Sequence, residues 1–333
     1  MTAPAVSVII PARDAAPTLE RTLAALSAQT IGADFEVVVV DDGSRDRTPD
    51  IARAHAGFVR LVSNSESVGP GAARNRGARE AAAPVLAFTD ADCFPTPGWL
   101  AAGLEEVDQA DLVQGPVAPD PSVARTPFDR SVVVQRGGGF FPTANLFVRR
   151  PVFDAVGGFR DWVLEERGER QWATDRRRAR ASRTPIGEDT LFAWTAMRQG
   201  ARSAFAPDAI VHHAVVPGSV LDDVADRWHW ARDMPGLARL VPELRDETFH
   251  RHVFFNEVTA KFDYALAGLA AAVVTRRSCW LLAAAPYLRH VRNHARQWRK
   301  RDQLTYLAGA PVVEAATLAA LLSGSLAWRS LVL

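Results

Sequence analysis

The chain has 333 residues, which is enough to bury a sizeable core in one large domain or two ordinary ones. Its 39 Lys and Arg nearly cancel its 38 Asp and Glu, so no overall field favours an acidic partner, and we expect no nucleic-acid binding. Two cysteines, Cys93 and Cys279, exclude a disulfide framework, and the start MTAPAVSVII lacks the basic region of a signal peptide, so the sequence favours the cytoplasm.

The hydrophobic period of the first half switches repeatedly between strand and helix. Short, continuously apolar runs are typical of strands buried on both faces, and the segments between them carry apolar residues at helical spacing. The predicted order is a strand over 6–11, a helix over 18–29, a strand within 35–44, a helix over 47–56, a strand over 58–64, a helix over 69–82 and a strand within 84–93. Strands that alternate with helices predict an α/β fold with a parallel, doubly wound sheet.

Carboxylates gather where these strands end. Asp41 and Asp42 follow the second strand, and Asp90 and Asp92 follow the fourth. Ligands of such sheets bind outside the carboxyl ends of the strands, and four acids along one rim would repel one another unless a cation lay among them. Mg²⁺ or Mn²⁺ would fit, because hard divalent cations take oxygen ligands and bridge to phosphates. The alternative is that the acids only cap turns and the helices that follow.

Several segments of the first 235 residues carry recognisable motifs. They are VSVIIPARD, SAQTIGADFEVVVVDDGSRDRT, GPGAARNRGA, FTDADCFPTPGWL, TANLFVRRPVFDAVGGF and GEDTLFAWTAMRQGARSAFAPDAIVHH. Together these segments resemble glycosyltransferase family 2 over roughly residues 5–235. The resemblance implies a GT-A fold, which is a Rossmann-like, mostly parallel sheet with flanking helices that binds a nucleotide sugar.

The same resemblance implies roles for single residues. The positions that match those holding the nucleoside of the donor are Pro11, Arg13, Asp41 and Asp42. The segment FTDADC resembles the Asp-x-Asp (DXD) motif, which binds Mn²⁺ or Mg²⁺ together with the donor diphosphate. The implied metal ligands are Asp90, Asp92 and His213. A structural role for His213 is an equal alternative, because the sequence shows no spaced second ligand set.

The acidic pair in GEDTLF is the candidate catalytic group. Asp189 matches the general base that deprotonates the acceptor hydroxyl in inverting members, and Glu188 is the alternative. Taken alone, the pair would be an ordinary helix start, where acids interact favourably with the helix dipole. GPGAARNRG lacks the Lys-Ser/Thr ending of a phosphate loop, so we expect it only to begin a helix.

The resemblance implies a specific reaction. An inverting, metal-assisted glycosyltransferase would move a sugar from a nucleoside-diphosphate sugar to a hydroxyl of a glycan, a lipid-linked acceptor or a small molecule. A catalytically silent nucleotide-sugar-binding or scaffold protein of the same fold is the alternative. A sugar nucleotidyltransferase is less favoured, because no Gly-rich signature follows the first strand.

The segment VADRWHW bears on how many sugars are added. Processive members often carry Gln-x-x-Arg-Trp, and this chain keeps Arg227 and Trp228 but has Val224 at the Gln position. A single addition is therefore expected, in the glycosylation of cell-envelope polysaccharide, glycolipid or a secondary metabolite.

The sequence divides at residue 235. We expect a catalytic domain over 1–235, with nucleotide-sugar binding in 1–115 and the acceptor and catalytic part in 116–235, followed by a helical region over 236–333. Residues 161–185, between GGF and GED, are unusually charged. They are either a solvated loop or a lid over donor and acceptor.

The last hundred residues are rich in Ala and Leu and are interrupted by the basic segment RHVRNHARQWRKR, residues 289–301. One hypothesis is a basic amphipathic surface that docks on anionic lipid, peripheral to the inner face of the cell membrane. The other is a helical hairpin packed on the catalytic domain or on a second subunit of a homodimer. The longest apolar run, Ala315 to Trp328, falls short of the roughly 20 residues that a spanning helix needs, so we expect no transmembrane segment.

Overall fold

The computed structural model describes residues 3–167 and 187–333, and the chain divides into two compact units. The first holds Met1–Val123 and Ser131–Ala214, and the second holds Ala124–Arg130 and Val215–Leu333. The division therefore falls after Ala214, whereas the sequence placed the end of the catalytic domain at residue 235. The difference arises because helix Val220–Ala231 packs along a later helix of the second unit.

Two sheets form the centre of the first unit. Its strands are β1 Val6–Ala12, β2 Phe35–Asp41, β3 Val59–Ser63, β4 Val85–Phe88, β5 Cys93–Pro95, β6 Leu112–Gln114, β7 Val117–Pro119, β8 Leu146–Arg149, β9 Ser203–Phe205 and β10 Val211–His213. The larger sheet has the order β3-β2-β1-β4-β8-β6-β9, and the smaller has the order β5-β10-β7. All neighbours in the larger sheet are parallel except β8, which is antiparallel to both β4 and β6. The predicted, mostly parallel α/β fold is confirmed.

Helices cover the faces of the larger sheet. They are α1 Ala16–Ser27, α2 Thr48–Ala54, α3 Pro70–Glu80, α4 Trp99–Val107, α5 Arg150–Val156, α6 Trp162–Arg167 and α7 Glu188–Arg198, with a 3₁₀ turn at Thr143–Asn145. Helix α3 lies unusually close to the strands, because a Cβ at Gly77 would be 2.6 Å from Ile9 Cγ2 and 3.0 Å from Val40 Cγ2. This approach presents the start of α3 to the strand ends, where the candidate site residues lie.

The core of the first unit lies on both faces of the larger sheet. One face packs Leu19 and Leu23 of α1 and Trp99 of α4 against the strands. The other face contains an aromatic cluster in which the rings of Phe88, Phe153, Phe159 and Phe192 lie 4.9–5.6 Å apart. Because Phe192 belongs to α7, this cluster fixes the helix whose first residues are the candidate catalytic pair.

Most of the segment expected to be a solvated loop or a lid, residues 161–185, lies outside the described residues. Its described beginning forms α6.

The second unit is helical, as expected for the C-terminal region. Its helices are α8 Val220–Ala231, α9 Met234–Leu240, α10 Leu244–Glu247, α11 Glu257–Thr275, α12 Ala285–Ala295 and α13 Lys300–Trp328, with a 3₁₀ helix at Ser278–Ala284. Capping boxes begin α8 at Ser219 and α11 at Asn256, where a side chain and the backbone satisfy each other's free groups. Helix α13 packs along α8 and α9.

Helices α11 and α13 are long and apolar enough, by length and composition, to cross a membrane. Within the most apolar 18-residue window of each helix, 22% of the window is buried inside the protein in α11 and 44% in α13. The sequence had excluded a span because the uninterrupted apolar run ends at Glu314. The helix continues through Glu314 back to Lys300 and has 29 residues, so the length of that run does not by itself exclude a span.

Candidate active site

The first group of predicted site residues lies where β1 and β2 end. The two strands run in parallel register, with Pro11 beside Val40 and Ala12 beside Asp41, so the residues that follow leave the sheet at one edge. Asp41 is buried, and its Oδ1 accepts a hydrogen bond from the backbone N–H of Ser44 at 3.0 Å. The structure therefore brings the predicted nucleoside-binding residues to the same edge.

Asp42 is buried and organises the turn that follows β3. Its carboxylate accepts hydrogen bonds from Asn64 Nδ2 at 2.7 Å, Ser67 Oγ at 2.7 Å, Val68 N at 2.9 Å and Gly69 N at 3.0 Å. Arg13 Nη1 donates to the same Ser67 Oγ at 2.8 Å. A carboxylate offers about four lone-pair sites, so the chain itself fills the acceptor capacity of Asp42.

The second group forms where β5 and β10 pair. Their antiparallel register sets His213 opposite Cys93 and so brings the imidazole beside Asp92, with Nε2 at 3.5 Å from Asp92 Oδ2. His213 Nδ1 lies 2.8 Å from the carbonyl oxygen of Ala214, which assigns the ring hydrogen to Nδ1. Nε2 is then an acceptor that can ligate a cation, with its orientation fixed by the backbone.

The donor atoms at this point fit a divalent cation. One ligand atom each of Asp92, Cys93 and His213 lies within 4.8 Å of the others. Burial raises the pKa of Cys93 well above its usual value, and the charges of Asp90 and Asp92 add to this, so its thiol stays protonated and is a poor ligand. A carboxylate and an imidazole remain, a pair compatible with Mn²⁺, whereas Mg²⁺ prefers oxygen ligands alone.

Asp90 faces a different partner from Asp92. Its Oδ1 accepts a hydrogen bond from Arg74 Nη2 at 2.6 Å, and Arg74 Nη1 lies 3.3 Å from Glu188 Oε1. The side chains of Arg74 and Glu188 are only 6% and 8% exposed. One buried guanidinium therefore links the Asp-x-Asp segment to the candidate catalytic pair.

Asp189 is held by the chain at the first turn of α7. Its Oδ1 accepts a hydrogen bond from the backbone N–H of Thr190 at 2.7 Å, and its Oδ2 accepts one from Thr143 N at 3.2 Å. Asp189 is partly exposed, whereas Glu188 is buried. Of the two acids, Asp189 is therefore the one that an acceptor could reach.

The electrostatics divide the acidic pair into two roles. Burial raises the pKa of Glu188 to about 8, the charge of Asp189 adds to this shift, and Arg74 opposes it. Burial also raises the pKa of Asp189 to about 6, with Arg74 again opposing. At neutral pH Glu188 then holds a proton and Asp189 is ionised, so only Asp189 is ready to accept one.

Sequence reasoning missed Arg74. It assigned GPGAARNRG only to the start of a helix and gave single arginines little weight, because nearly every cationic residue of the chain is an arginine. The available signal was an arginine on the face of α3 that also carries Ala73, Gly77 and Ala78. A charged side chain on a helix face that packs against a sheet needs a buried partner.

Arg74→Met is expected to lower the free energy of unfolding by about 3–5 kcal/mol, because it leaves the Asp90 carboxylate and the buried Glu188 side chain without the guanidinium that both face. Denaturant unfolding of the full chain measures it. The control is Arg60→Met, which breaks the exposed ion pair with Glu80 and should cost less than about 1 kcal/mol. Equal, small losses in both variants would contradict the assignment of Arg74 as the buried counter-charge.

The chain is similar in sequence to known glycosyltransferases. The chain is 35% identical over 191 residues to glycosyltransferase AglE of Haloferax volcanii, which covers 52% of this chain and 62% of AglE. It is 44% identical over 101 residues to validoxylamine A glucosyltransferase of Streptomyces hygroscopicus subsp. jinggangensis, which covers 29% of this chain and 24% of that protein. The chain thus matches less than two thirds of the length of either relative.

A solved structure shares the fold. The mannosyltransferase PcManGT from Pyrobaculum calidifontis, in complex with GDP-Man and Mn²⁺, aligns with 97% of this chain and 88% of its own at a TM-score of 0.60 and 20% identity. The model of the family described as Glycosyl transferase family 2 matches residues 7–205, which is more than half of the chain. This match confirms the resemblance carried by the sequence motifs, and the chain belongs to glycosyl transferase family 2.

Proposed function

We propose that the protein is an inverting glycosyltransferase that moves a sugar from a nucleoside-diphosphate sugar to an acceptor hydroxyl with the help of a divalent cation. The observation that carries the proposal is the chain of contacts within the first unit. Arg74 links Glu188, beside the candidate base Asp189, to Asp90, and Asp92 two residues further on lies against His213. One set of contacts thus joins a candidate base and a candidate cation site.

The donor is assigned to the edge where β1 and β2 end. Asp41 and Arg13 are proposed to contact the nucleoside, beside Pro11, and Asp42 holds the turn against which Arg13 rests. Solved structures of the same fold contain GDP-Man in PcManGT and UDP in TarS of S. aureus, the latter at a TM-score of 0.50 and 17% identity. A nucleoside-diphosphate sugar is the donor class these complexes support.

The cation is assigned to Asp92 and His213, with Asp90 close by in the Asp-x-Asp segment. When bound, Mn²⁺ or Mg²⁺ would supply Lewis-acid stabilisation of the negative charge that develops on the departing diphosphate. The chain contributes an oriented imidazole and a carboxylate whose pKa burial raises. Arg74 holds the neighbouring Asp90 in place.

The base is assigned to Asp189. The acceptor oxygen attacks the anomeric carbon from the side opposite the diphosphate, the new C–O bond forms as the bond to the diphosphate breaks, and that electron pair leaves with the diphosphate. The hydroxyl proton passes to the Asp189 carboxylate, which contributes typically 10²–10⁴-fold. A single displacement inverts the anomeric centre.

The acceptor is proposed to receive one sugar per encounter. Arg227 pairs with Asp223 at 3.4 Å and Trp228 is 45% exposed, while Val224 stands where a Gln would mark processive members. Cell-envelope polysaccharide, glycolipid and secondary-metabolite glycosylation all supply such acceptors. We propose that the protein acts in the cytoplasm, at the inner face of the cell membrane.

The test is donor turnover. A thermal-shift screen of nucleotide sugars with Mn²⁺ present identifies the donor, and release of nucleoside diphosphate is then measured with and without metal. Metal-dependent release supports the transferase. Tight donor binding without release under any metal or acceptor condition would favour the catalytically silent binding protein instead.

The pH dependence of transfer should report Asp189. Its pKa is raised to about 6, and a base works only when deprotonated, so kcat/KM is expected to rise with pH through about 6 and then level off. The measurement is a pH profile at saturating metal. A rise of kcat/KM centred near pH 4, where an ordinary aspartate titrates, would argue against Asp189 as the base.

A further inference from the structure

Helix α11 has a stripe of apolar residues on its solvent-exposed face. Leu266, Leu269, Val273 and Val274 are 39%, 52%, 71% and 82% exposed, and their spacing of i, i+3, i+7 and i+8 puts them on one face. A surface helix of a soluble protein normally turns such a stripe toward the core. We therefore expect another apolar surface to cover this stripe.

The 3₁₀ helix Ser278–Ala284 extends the same surface. Trp280, Leu281 and Leu282 are 47%, 48% and 75% exposed. Gly268 allows this segment to pack directly on α11, because a Cβ there would lie 2.6 Å from the Trp280 carbonyl oxygen. The seven exposed residues form an apolar platform on two closely packed elements: Leu266, Leu269, Val273, Val274, Trp280, Leu281 and Leu282.

The chain around the platform has charge of one sign. Residues 264–301 contain no Asp or Glu, although the whole chain has 38 of them. The same segment has eight cationic residues, all exposed: Arg276, Arg277, Arg289, Arg292, Arg296, Arg299, Lys300 and Arg301. An apolar surface set among exposed cations is complementary to anionic phospholipid, which offers hydrocarbon below a negative surface.

Two other occupants fit less well. A second copy joined about a two-fold axis would place the same face against itself and bring these cations together with no carboxylate of the segment between them. The apolar window of α11 includes Lys261 and Asp263, so a span by α11 would carry two ionisable side chains into the hydrocarbon core, which is costly.

We infer that the platform docks in the plane of an anionic membrane surface, with its apolar side chains at the headgroup boundary and the surrounding arginines among the lipid phosphates. Trp280 has the amphipathic ring that favours this depth. The inference does not depend on the proposed transferase activity, since it concerns a surface of the second unit alone.

Vesicle sedimentation of the full chain tests the inference. Wild-type protein should bind vesicles of phosphatidylcholine with phosphatidylglycerol, should bind pure phosphatidylcholine far less, and should lose affinity as salt rises. Leu281→Ser with Leu282→Ser should weaken binding by about 10- to 100-fold, because two apolar side chains no longer leave water. Arg276→Ser with Arg277→Ser should weaken it by about 10-fold.

The matched control is Leu221→Ser. Leu221 is 76% exposed but is followed by Asp222 and Asp223, so it should not face an anionic surface, and its loss should leave binding unchanged. Equal binding by wild type, the double-leucine variant and this control would overturn the inference. So would a wild-type dimer that ignores vesicles and becomes monomeric on Leu281→Ser with Leu282→Ser, since the platform would then be a self-association surface.

Cys279 gives a direct reading of depth without any substitution. It is exposed beside Trp280, whereas Cys93 is buried, so an environment-sensitive fluorophore should attach to Cys279. On anionic vesicles its emission should shift to the blue, and lipids with quenchers near the headgroup should quench it more than lipids with quenchers at the chain ends. An unshifted emission, or strongest quenching at the bilayer centre, would refute in-plane docking.

Discussion

Asp189→Asn should lower the rate of sugar transfer by about 10²–10⁴-fold while leaving donor and metal binding near wild type. The amide keeps the size of the carboxylate, and its oxygen can still accept the 2.7 Å hydrogen bond from Thr190 N. What it loses is the capacity to accept a proton from the acceptor hydroxyl. Transfer kinetics with a working acceptor and donor titration by calorimetry give the two quantities.

The neighbouring acid supplies the matched control for that experiment. Burial raises the pKa of Glu188 to about 8, which keeps it protonated at neutral pH, so Glu188→Gln replaces one neutral hydrogen-bonding group with another and should reduce transfer much less. A folding defect would lower donor affinity and rate together. If Glu188→Gln abolishes transfer and Asp189→Asn has the wild-type rate, the roles are reversed, and if neither variant is affected the base lies elsewhere.

Asp92→Asn is expected to weaken the Mn²⁺-dependent binding of nucleoside diphosphate by roughly 10²-fold. Asp92 is the carboxylate that faces His213 Nε2, so the change removes the negative ligand of the pair and leaves the imidazole. Asp90 is held toward Arg74 by a 2.6 Å contact of its Oδ1, so we do not expect it to replace Asp92. Calorimetric titration with and without Mn²⁺ separates the metal-dependent part.

Asp154→Asn is the control for this second prediction. Asp154 is an exposed aspartate on α5 of the same unit, so its loss removes one negative charge without touching the candidate ligands. Metal-free binding of the nucleotide should be alike in wild type and both variants. Wild-type affinity of Asp92→Asn in Mn²⁺ would show that the Asp-x-Asp segment does not hold the cation.

The sequence predicted the outline of the fold because local patterns encode it. The apolar runs at 6–11 and 84–88 placed two strand ends, and with them Asp90 and Asp92. The direction of β8 was not predictable in this way, because LFVR has the same apolar character in a parallel and an antiparallel strand. Helix α8 was assigned to the catalytic domain because its charged sequence does not reveal which helix it packs against.

Parts of the candidate site depend on contacts that no local pattern carries. Arg74 meets Glu188 from 114 positions away in the chain, and it does so because Gly77 lets α3 sit close to the sheet. The division of the acidic pair into a protonated and an ionised member likewise arises from burial around that guanidinium. The roles of these residues in binding and catalysis remain predictions for the variants to decide.

The pairing of β5 with β10 sets an order of events during synthesis. All the strand-end carboxylates leave the ribosome early, yet the imidazole that completes the candidate cation pair arrives with the last strand of the unit, and closing so long a loop costs conformational entropy. A nascent chain can therefore form its parallel core well before it has a finished cation pocket. The proposed cation pair is therefore completed only once the last strand of the unit has been made.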